Sequence, residues 1–446
     1  MPKLIKQIKT SEFFRSIFTL ISATSIAQLI GILIYPILTD IYSPSEHGTF
    51  ALYLSIITIT GIICTGKYDA AIMMPAKKKS AINLAALSVI IAFLFSIIIL
   101  ILIVLFNRIF TSWLGDHSIS KWLYFVPLST FMIGIFQTFS FLSNREKQYS
   151  RIALSNVTQS ISNSAVKIST SKLISTGGGL IAGAITGQVI GSVIFLWGFF
   201  KKEVSLLGEI SFSEMKKAAF EYSFFPRYNL MHNFINNFSG NLPVFVLSYF
   251  YSSSEVGLYS LGFIMIFRPM NLITVSFTQV FSQKIISKFN NEQKIYSDIR
   301  KIAFNLFKFG LPIFLIAGIF GPGIFNYIFG NIWISAGKYM QILLPWLFIV
   351  FISAPLSFLP DMLKRQKKAM WLDIFKFVVR LAALGLGIYL NKLYLAIALF
   401  SGVSTIFTLY NLYWYISLSK KADNKDKREK ISGIERNLLL EDRPEF

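Results

Sequence analysis

Acidic residues are scarce: 22 Asp and Glu stand against 43 Lys and Arg, and charged residues make up only 15% of a 446-residue chain. A water-soluble globular chain carries roughly 25% charged residues. The shortfall excludes an ordinary soluble domain, whose surface needs charge that is missing here. There is one cysteine, Cys64, so no intrachain disulfide and no cysteine-rich metal site can form. The three histidines (His47, His117 and His232) are scattered without metal-ligand spacing. No Walker loop, paired-carboxylate site, nucleophile elbow or HExxH motif occurs, so no catalytic constellation, metal site or cofactor is implied. Gly177-Gly178-Gly179 lacks the lysine that a phosphate loop needs and reads as a flexible turn.

What is present is apolar. The chain is 54% hydrophobic and holds 44 phenylalanines, more than an interior of this size can hide from water. The basic stretch Met1 to Thr10 resembles the start of a signal peptide, but the apolar run from Phe13 to about Leu38 is too long for one, and no cleavage site interrupts it. It reads as a retained first membrane helix. A spanning helix needs about 20 apolar residues. Segments of this kind lie near 13–39, 49–66, 81–106, 121–143, 151–173, 178–200, 220–249, 257–283, 302–328, 338–359, 369–390 and 393–417. The chain is therefore expected to be an all-α integral membrane protein of about a dozen transmembrane helices. From Lys420 onward the tail is polar and is expected to extend into the cytoplasm.

The net charge of +21 would suggest nucleic acid in a soluble protein. Here the cations cluster in short loops, as in the cytoplasmic loops of membrane proteins, so no nucleic acid is expected. Alternate loops, counted from the N-terminus, carry Lys67 and Lys77 to Lys79, then Arg145, Lys147 and Arg151, then Lys201, Lys202, Lys216 and Lys217. The pattern continues with Lys284, Lys288, Lys294, Arg300 and Lys301, and then with Lys364, Arg365, Lys367 and Lys368. The opposite loops carry only Arg108, Lys121, Lys172, Lys338 and Lys392. Both termini are expected in the cytoplasm, with short outer loops that leave no room for an external domain.

An internal repeat is visible. Leu38-Thr39-Asp40-Ile41-Tyr42-Ser43-Pro44-Ser45-Glu46-His47-Gly48 aligns with Leu247-Ser248-Tyr249-Phe250-Tyr251-Ser252-Ser253-Ser254-Glu255-Val256-Gly257. Phe13-Phe14-Arg15 likewise resembles Phe224-Phe225-Pro226-Arg227. An even number of helices separates the copies, so the halves point the same way, as in a parallel repeat about the membrane normal. This predicts two pseudo-symmetric six-helix bundles, 1–202 and 203–419, followed by the tail 420–446. In each copy a Ser and an early Glu suit a helix start, and Gly48 and Gly257 permit close packing. Tyr42, Glu46, Gly48, Tyr251, Glu255 and Gly257 thus read first as a structural motif, with a direct part in transport as the alternative.

Charges inside apolar segments are expensive. They are Lys167, Arg227, Arg268, Lys308, Lys376 and Arg380, with Asp373 and Glu221 near helix ends and no acid deep in a helix. Snorkelling accounts best for Lys167 and is an alternative for Lys308 and Arg227. Arg268 and Arg380 each sit about eleven residues into a helix, near the midplane at roughly 1.5 Å per residue. They are expected to line a hydrated cavity, with packing or buried pairing as the alternative. Asp373, Lys376 and Arg380 share a helical face, so an internal pair is open to them. Arg15 and Arg227 match between the repeats and read either as an electropositive cleft entrance or as ordinary inside anchors. A basic cavity without acids suits phosphate, which arginine can grip with two hydrogen bonds.

Several stretches resemble the polysaccharide-transporter branch of the multidrug/oligosaccharidyl-lipid/polysaccharide flippase superfamily, which includes O-antigen (Wzx-type) flippases. They are Leu38 to Gly48, Lys67-Tyr68-Asp69-Ala70-Ala71-Ile72-Met73-Met74-Pro75 with Lys77 to Lys79, Ala81-Ile82-Asn83-Leu84, Asn144-Arg145-Glu146-Lys147, and Gly257 to Gly262 leading to Arg268-Pro269. The resemblance implies a pair of six-helix bundles in a bacterial cytoplasmic membrane that open alternately to each side. It implies a cargo of undecaprenyl-pyrophosphate-linked oligosaccharide whose lipid tail stays among the membrane lipids, with cationic residues on the pyrophosphate. Arg268, Arg380, Lys376, Arg227, Arg15 and Lys308 are the candidates, chosen by depth. Encounters with a polysaccharide polymerase and a chain-length regulator are also implied; a coupling ion and the membrane potential stay as open alternatives for the energy source. A multidrug-extrusion antiporter is the alternative, although it would more naturally carry a deep carboxylate. A peptidoglycan-precursor flippase is a further relative. The Gly-x-x-x-Asp-Arg-x-Gly loop of major-facilitator transporters is missing, and a polymerase or ligase would need a large outer loop.

Overall fold

The computed structural model describes residues 24–171, 173–174, 177–363 and 365–441, and among them there is no β-strand. Long helices dominate. They are α1 (Thr24–Ile41), α2 (Pro44–Ile63), α3 (Lys78–Leu114), α4 (Val126–Arg145), α5 (Tyr149–Ser169) and α6 (Gly178–Lys202). There follow α7 (Leu230–Phe250), α8 (Ser253–Asn290), α9 (Tyr296–Phe329), α10 (Ile334–Ser353), α11 (Gln366–Tyr389) and α12 (Leu393–Glu441). Each apolar segment of the sequence overlaps one of them.

Among the described residues, nine helices are long and apolar enough to cross a membrane. The other three long helices, α5, α7 and α11, have 21, 21 and 24 residues but carry more polar side chains. In a bilayer such helices must turn those groups toward protein or a wet space.

Most boundaries shift by several residues from expectation, and three departures stand out. The segment 220–249 is not one helix: a short helix, Phe212–Glu221, is followed by a π-helical turn, Phe225–Asn229, before α7 begins. Pro226, which has no amide hydrogen to donate, sits in that turn. α3 continues past its expected end to Leu114, and the expected end coincides with a local break at Phe106 (φ −122°, ψ 18°). The polar tail continues α12 as helix up to Glu441, because its Lys, Glu and Arg residues sustain a helix once it has started.

The described chain divides into two compact units. The first holds the residues up to Arg268 together with 322–339; the second holds 269–321 and the residues from Met340 onward. In the first unit Leu84, Ala85, Ile135, Leu142, Phe195 and Phe199 form a buried cluster from α3, α4 and α6. α5 lies tightly along α6 because Gly183, Gly187 and Gly191 recur every fourth residue on the facing side. A Cβ at Gly187 would come within 2.8 Å of the Gln159 carbonyl oxygen. In the second unit Asp423 of α12 caps α9: its carboxylate accepts from the amides of Ile295 (2.9 Å) and Tyr296 (3.1 Å).

Candidate functional site

The repeat motif comes first, because it fixes the local frame. Ser43 and Glu46 form a reciprocal capping box at the start of α2. Glu46 Oε2 accepts from the Ser43 amide at 2.9 Å, and Oε1 accepts from the Gly177 amide at 3.0 Å. Gly177 has φ +73°, and a Cβ at Gly179 would lie 2.1 Å from the Tyr42 hydroxyl. The glycine triplet therefore allows close approach to the motif, which its reading as a flexible turn had missed. In the second copy the Glu255 amide donates to Ser252 Oγ, while the Glu255 carboxylate accepts from the Tyr339 hydroxyl at 2.5 Å. The Tyr42 hydroxyl donates to the Lys167 carbonyl at 2.6 Å. The matching Tyr251 hydroxyl is buried without a partner among the described residues.

The two copies meet. A Cβ at Gly48 would lie 1.7 Å from the Ser253 carbonyl oxygen, and one at Gly257 would lie 1.9 Å from that of Pro44. Pro44 and Ser253 are equivalent positions of the repeat. Each glycine thus packs on the residue equivalent to its partner's own neighbour. Such reciprocity is the mark of a two-fold relation between like surfaces.

Near this seam lie two intramembrane cations. Arg268 on α8 donates from a terminal nitrogen to the Gly31 carbonyl of α1 at 2.9 Å and stacks over the Tyr35 ring at 5.4 Å. It is half-buried. Lys167 on α5 is only 6% exposed, with Nζ 4.4 Å from the centre of the Phe50 ring. Snorkelling is thereby corrected for Lys167: the ammonium points inward, because Gly183 of α6 leaves room for its stem. Among the described residues neither cation has a salt bridge. The acid-free pair of basic groups forms an electropositive region inside the apolar slab, where charge is weakly screened. The fourth-residue glycine pattern on α6 was the signal in the sequence that could have revealed Lys167.

The remaining candidates are dispersed. Arg227 is exposed on the π-helical turn. Burial raises the phenol of nearby Tyr68 above its ordinary value, and the Arg227 cation opposes this. Arg15 lies outside the described residues. In the second unit Arg380 is 3% exposed, sandwiched between the rings of Trp346 (4.9 Å) and Phe400 (4.8 Å), and it donates from Nε to Ser404 Oγ at 2.8 Å. Lys376 pairs with Asp373 at 2.5 Å, one turn apart. Lys308 is exposed beside Phe304, Phe307 and Phe309, with Nζ 4.6 Å from the Phe304 ring centre; this suits a snorkelling anchor.

At the charge-rich end of the first unit the other stretches that carry the family resemblance lock together. Arg145 donates to the carbonyls of Ile72 (3.1 Å) and Ala76 (3.3 Å), and Lys78 pairs with Glu146 at 3.1 Å. Asn83 accepts from the Ser211 amide at 2.9 Å and donates to the Glu209 carbonyl at 3.1 Å, holding the connection into the second half. Asp69 is 1% exposed and accepts from the Thr65 hydroxyl at 2.8 Å.

The helical fold is shared by solved transporters. Lipid II flippase MurJ in an inward closed conformation superposes with a TM-score of 0.66 at 16% identity, covering 95% of this chain and 93% of that one. A MATE transporter of Vibrio cholerae, VcmN, gives 0.64 at 13% identity over 92% and 98%. A MOP superfamily transporter from Pyrococcus furiosus, described as having a binding pocket of reverse polarity, gives 0.61 at 16% identity over 91% and 96%. No curated protein matches significantly. The fold is thus that of the MOP superfamily of membrane transporters. Residues 37–338 match the family model described as "Polysaccharide biosynthesis protein", and the chain belongs to that family.

Proposed function

We propose that this protein flips undecaprenyl-pyrophosphate-linked oligosaccharide units from the inner to the outer leaflet of a bacterial cytoplasmic membrane, for assembly of a surface polysaccharide such as O-antigen or capsule. The observation that carries the reading is Arg268 and Lys167: two basic side chains within membrane helices, each with no carboxylate in salt-bridge distance among the described residues. Leaving such charge unneutralised is costly unless an anion joins it. A diphosphate supplies that anion, and a guanidinium can hold two of its oxygens at once. In this proposal the six-helix halves 1–202 and 203–419 open alternately, the termini lie in the cytoplasm, and the lipid tail stays in the bilayer while the head group crosses. Arg227 meets the diphosphate at the cytoplasmic side, and Arg380 and Lys376 stiffen the second half.

The test uses full-length protein in proteoliposomes with fluorescent undecaprenyl-pyrophosphate-linked oligosaccharide. The expected result is translocation by wild type and a loss of about tenfold or more in Arg268→Ala, the scale of a hydrogen bond to a charged group. An unchanged rate in that variant removes the anion role. Resistance to cationic drugs on overexpression, without lipid translocation, would move the assignment to a multidrug-extrusion antiporter.

A further inference from the structure

We infer that α7 carries a binding track for the sugar hydroxyls of the cargo, built from asparagine carboxamides; this rests on the flippase reading above. Asn229, Asn233, Asn237 and Asn241 recur every fourth residue. They therefore share one face of the helix over roughly 18 Å, at about 6 Å per step. That step is on the scale of one sugar ring.

The side chains are held and also left available. The Nδ2 groups of Asn233, Asn237 and Asn241 each donate to the carbonyl one turn earlier, at 2.7, 2.9 and 2.9 Å. This fixes each carboxamide plane. The Oδ1 atoms and the second N–H of each amide have no further partner among the described residues, and the oxygens are not sealed from solvent. Gly240 lies on the same side, and a Cβ built there meets nothing within 4 Å. At Gly240 the face therefore looks onto open space, and the four asparagines beside it are half-buried and not sealed in. Asn236, next to this sector, is exposed.

Lipid tails cannot occupy that space, because a row of carboxamides in hydrocarbon has no partner and is expensive. Nor does the row serve the helix. Asparagine is a poor helix residue, and bonding back to the preceding turn weakens the helix slightly. A polar ligand accounts for both features. Each amide both donates and accepts, as does each sugar hydroxyl. Beside the track Phe234 stacks on Phe238 at 5.7 Å, and Phe238 on Phe245 at 6.0 Å, which offers apolar faces to the C–H side of sugar rings. The track is uncharged, so it complements a diphosphate held elsewhere and would not compete for it.

Full-length protein in nanodiscs separates the possibilities. The probes are undecaprenyl diphosphate carrying one N-acetylglucosamine and the same lipid carrying a pentasaccharide, with binding followed by native mass spectrometry. Asn237→Ala combined with Asn241→Ala is expected to weaken the pentasaccharide lipid about tenfold and to leave the monosaccharide lipid within twofold. If the alanine pair melts early, Asn237→Ser with Asn241→Ser replaces it, with the same expectation for length dependence. Equal wild-type affinity of the variant for both probes overturns the track and leaves the flippase reading standing. Failure of wild type to bind either lipid overturns that reading, and the track with it.

Discussion

Arg268 and Arg380 are equivalent in depth but opposite in environment. Arg268 is half-buried, with one backbone carbonyl and one tyrosine ring for company. Arg380 is enclosed by two aromatic rings and a serine hydroxyl. Desolvated cation–π contacts of this kind are worth about 2 kcal/mol or more. Arg380→Ala is therefore expected to lower the thermal midpoint of the detergent-solubilised protein, whereas Arg268→Ala leaves it near wild type; differential scanning fluorimetry of the two variants checks this. Depth along a helix was legible in the sequence, since it follows from counting residues. The direction in which a side chain points was not, because helix rotation is set by neighbouring helices. Lys167 shows the same limit: its position near a helix end suggested escape to the interface, while the glycines of α6 let it turn inward.

At the level of elements, apolar length located every long helix, and the polar ones were harder to delimit. α7 is the clearest case. Its asparagines and the proline before it blur the hydropathy signal, and the helix begins after a π-helical turn that no periodicity announces. The loop Lys67 to Pro75 was recognisable by resemblance, but its mechanical role depended on contacts distant in sequence. Arg145 binds two carbonyls of this stretch and its continuation, over a separation of about 70 residues. Removing the guanidinium leaves both acceptors without their donor, at a cost of about 1–3 kcal/mol. Arg145→Ala should raise amide hydrogen exchange across residues 68–77 while leaving the interior of α4 protected. Unchanged exchange there would mean that the loop is held by its other contacts.

For the molecule as a whole, the division into units does not respect single helices. α8 leaves the first unit at Arg268 and enters the second at Pro269, and α9 passes between them at Gly321 and Pro322, followed by Gly323. A third crossing lies within α10 at Tyr339 and Met340 and has no such residue, but the first two fall on residues that weaken a helix: proline removes a backbone hydrogen bond, and glycine adds conformational freedom. Kinks of this kind are where long helices bend. Pro269→Ala restores the missing amide and should slow lipid translocation several-fold while affinity for the lipid-linked saccharide stays unchanged. Parallel flipping and binding measurements on the same preparation check this, and an equal fall in both would place Pro269 in binding instead.

The seam at Gly48 and Gly257 carries a consequence for how such a chain can change. Neither position has room for a methyl group, since each already abuts a main-chain oxygen from the other copy. A larger residue on one side cannot be absorbed by rotating a neighbouring side chain; the opposite backbone itself must give way. Two stretches about 200 residues apart are thereby bound to drift together: their distance along the chain does not set them free of each other.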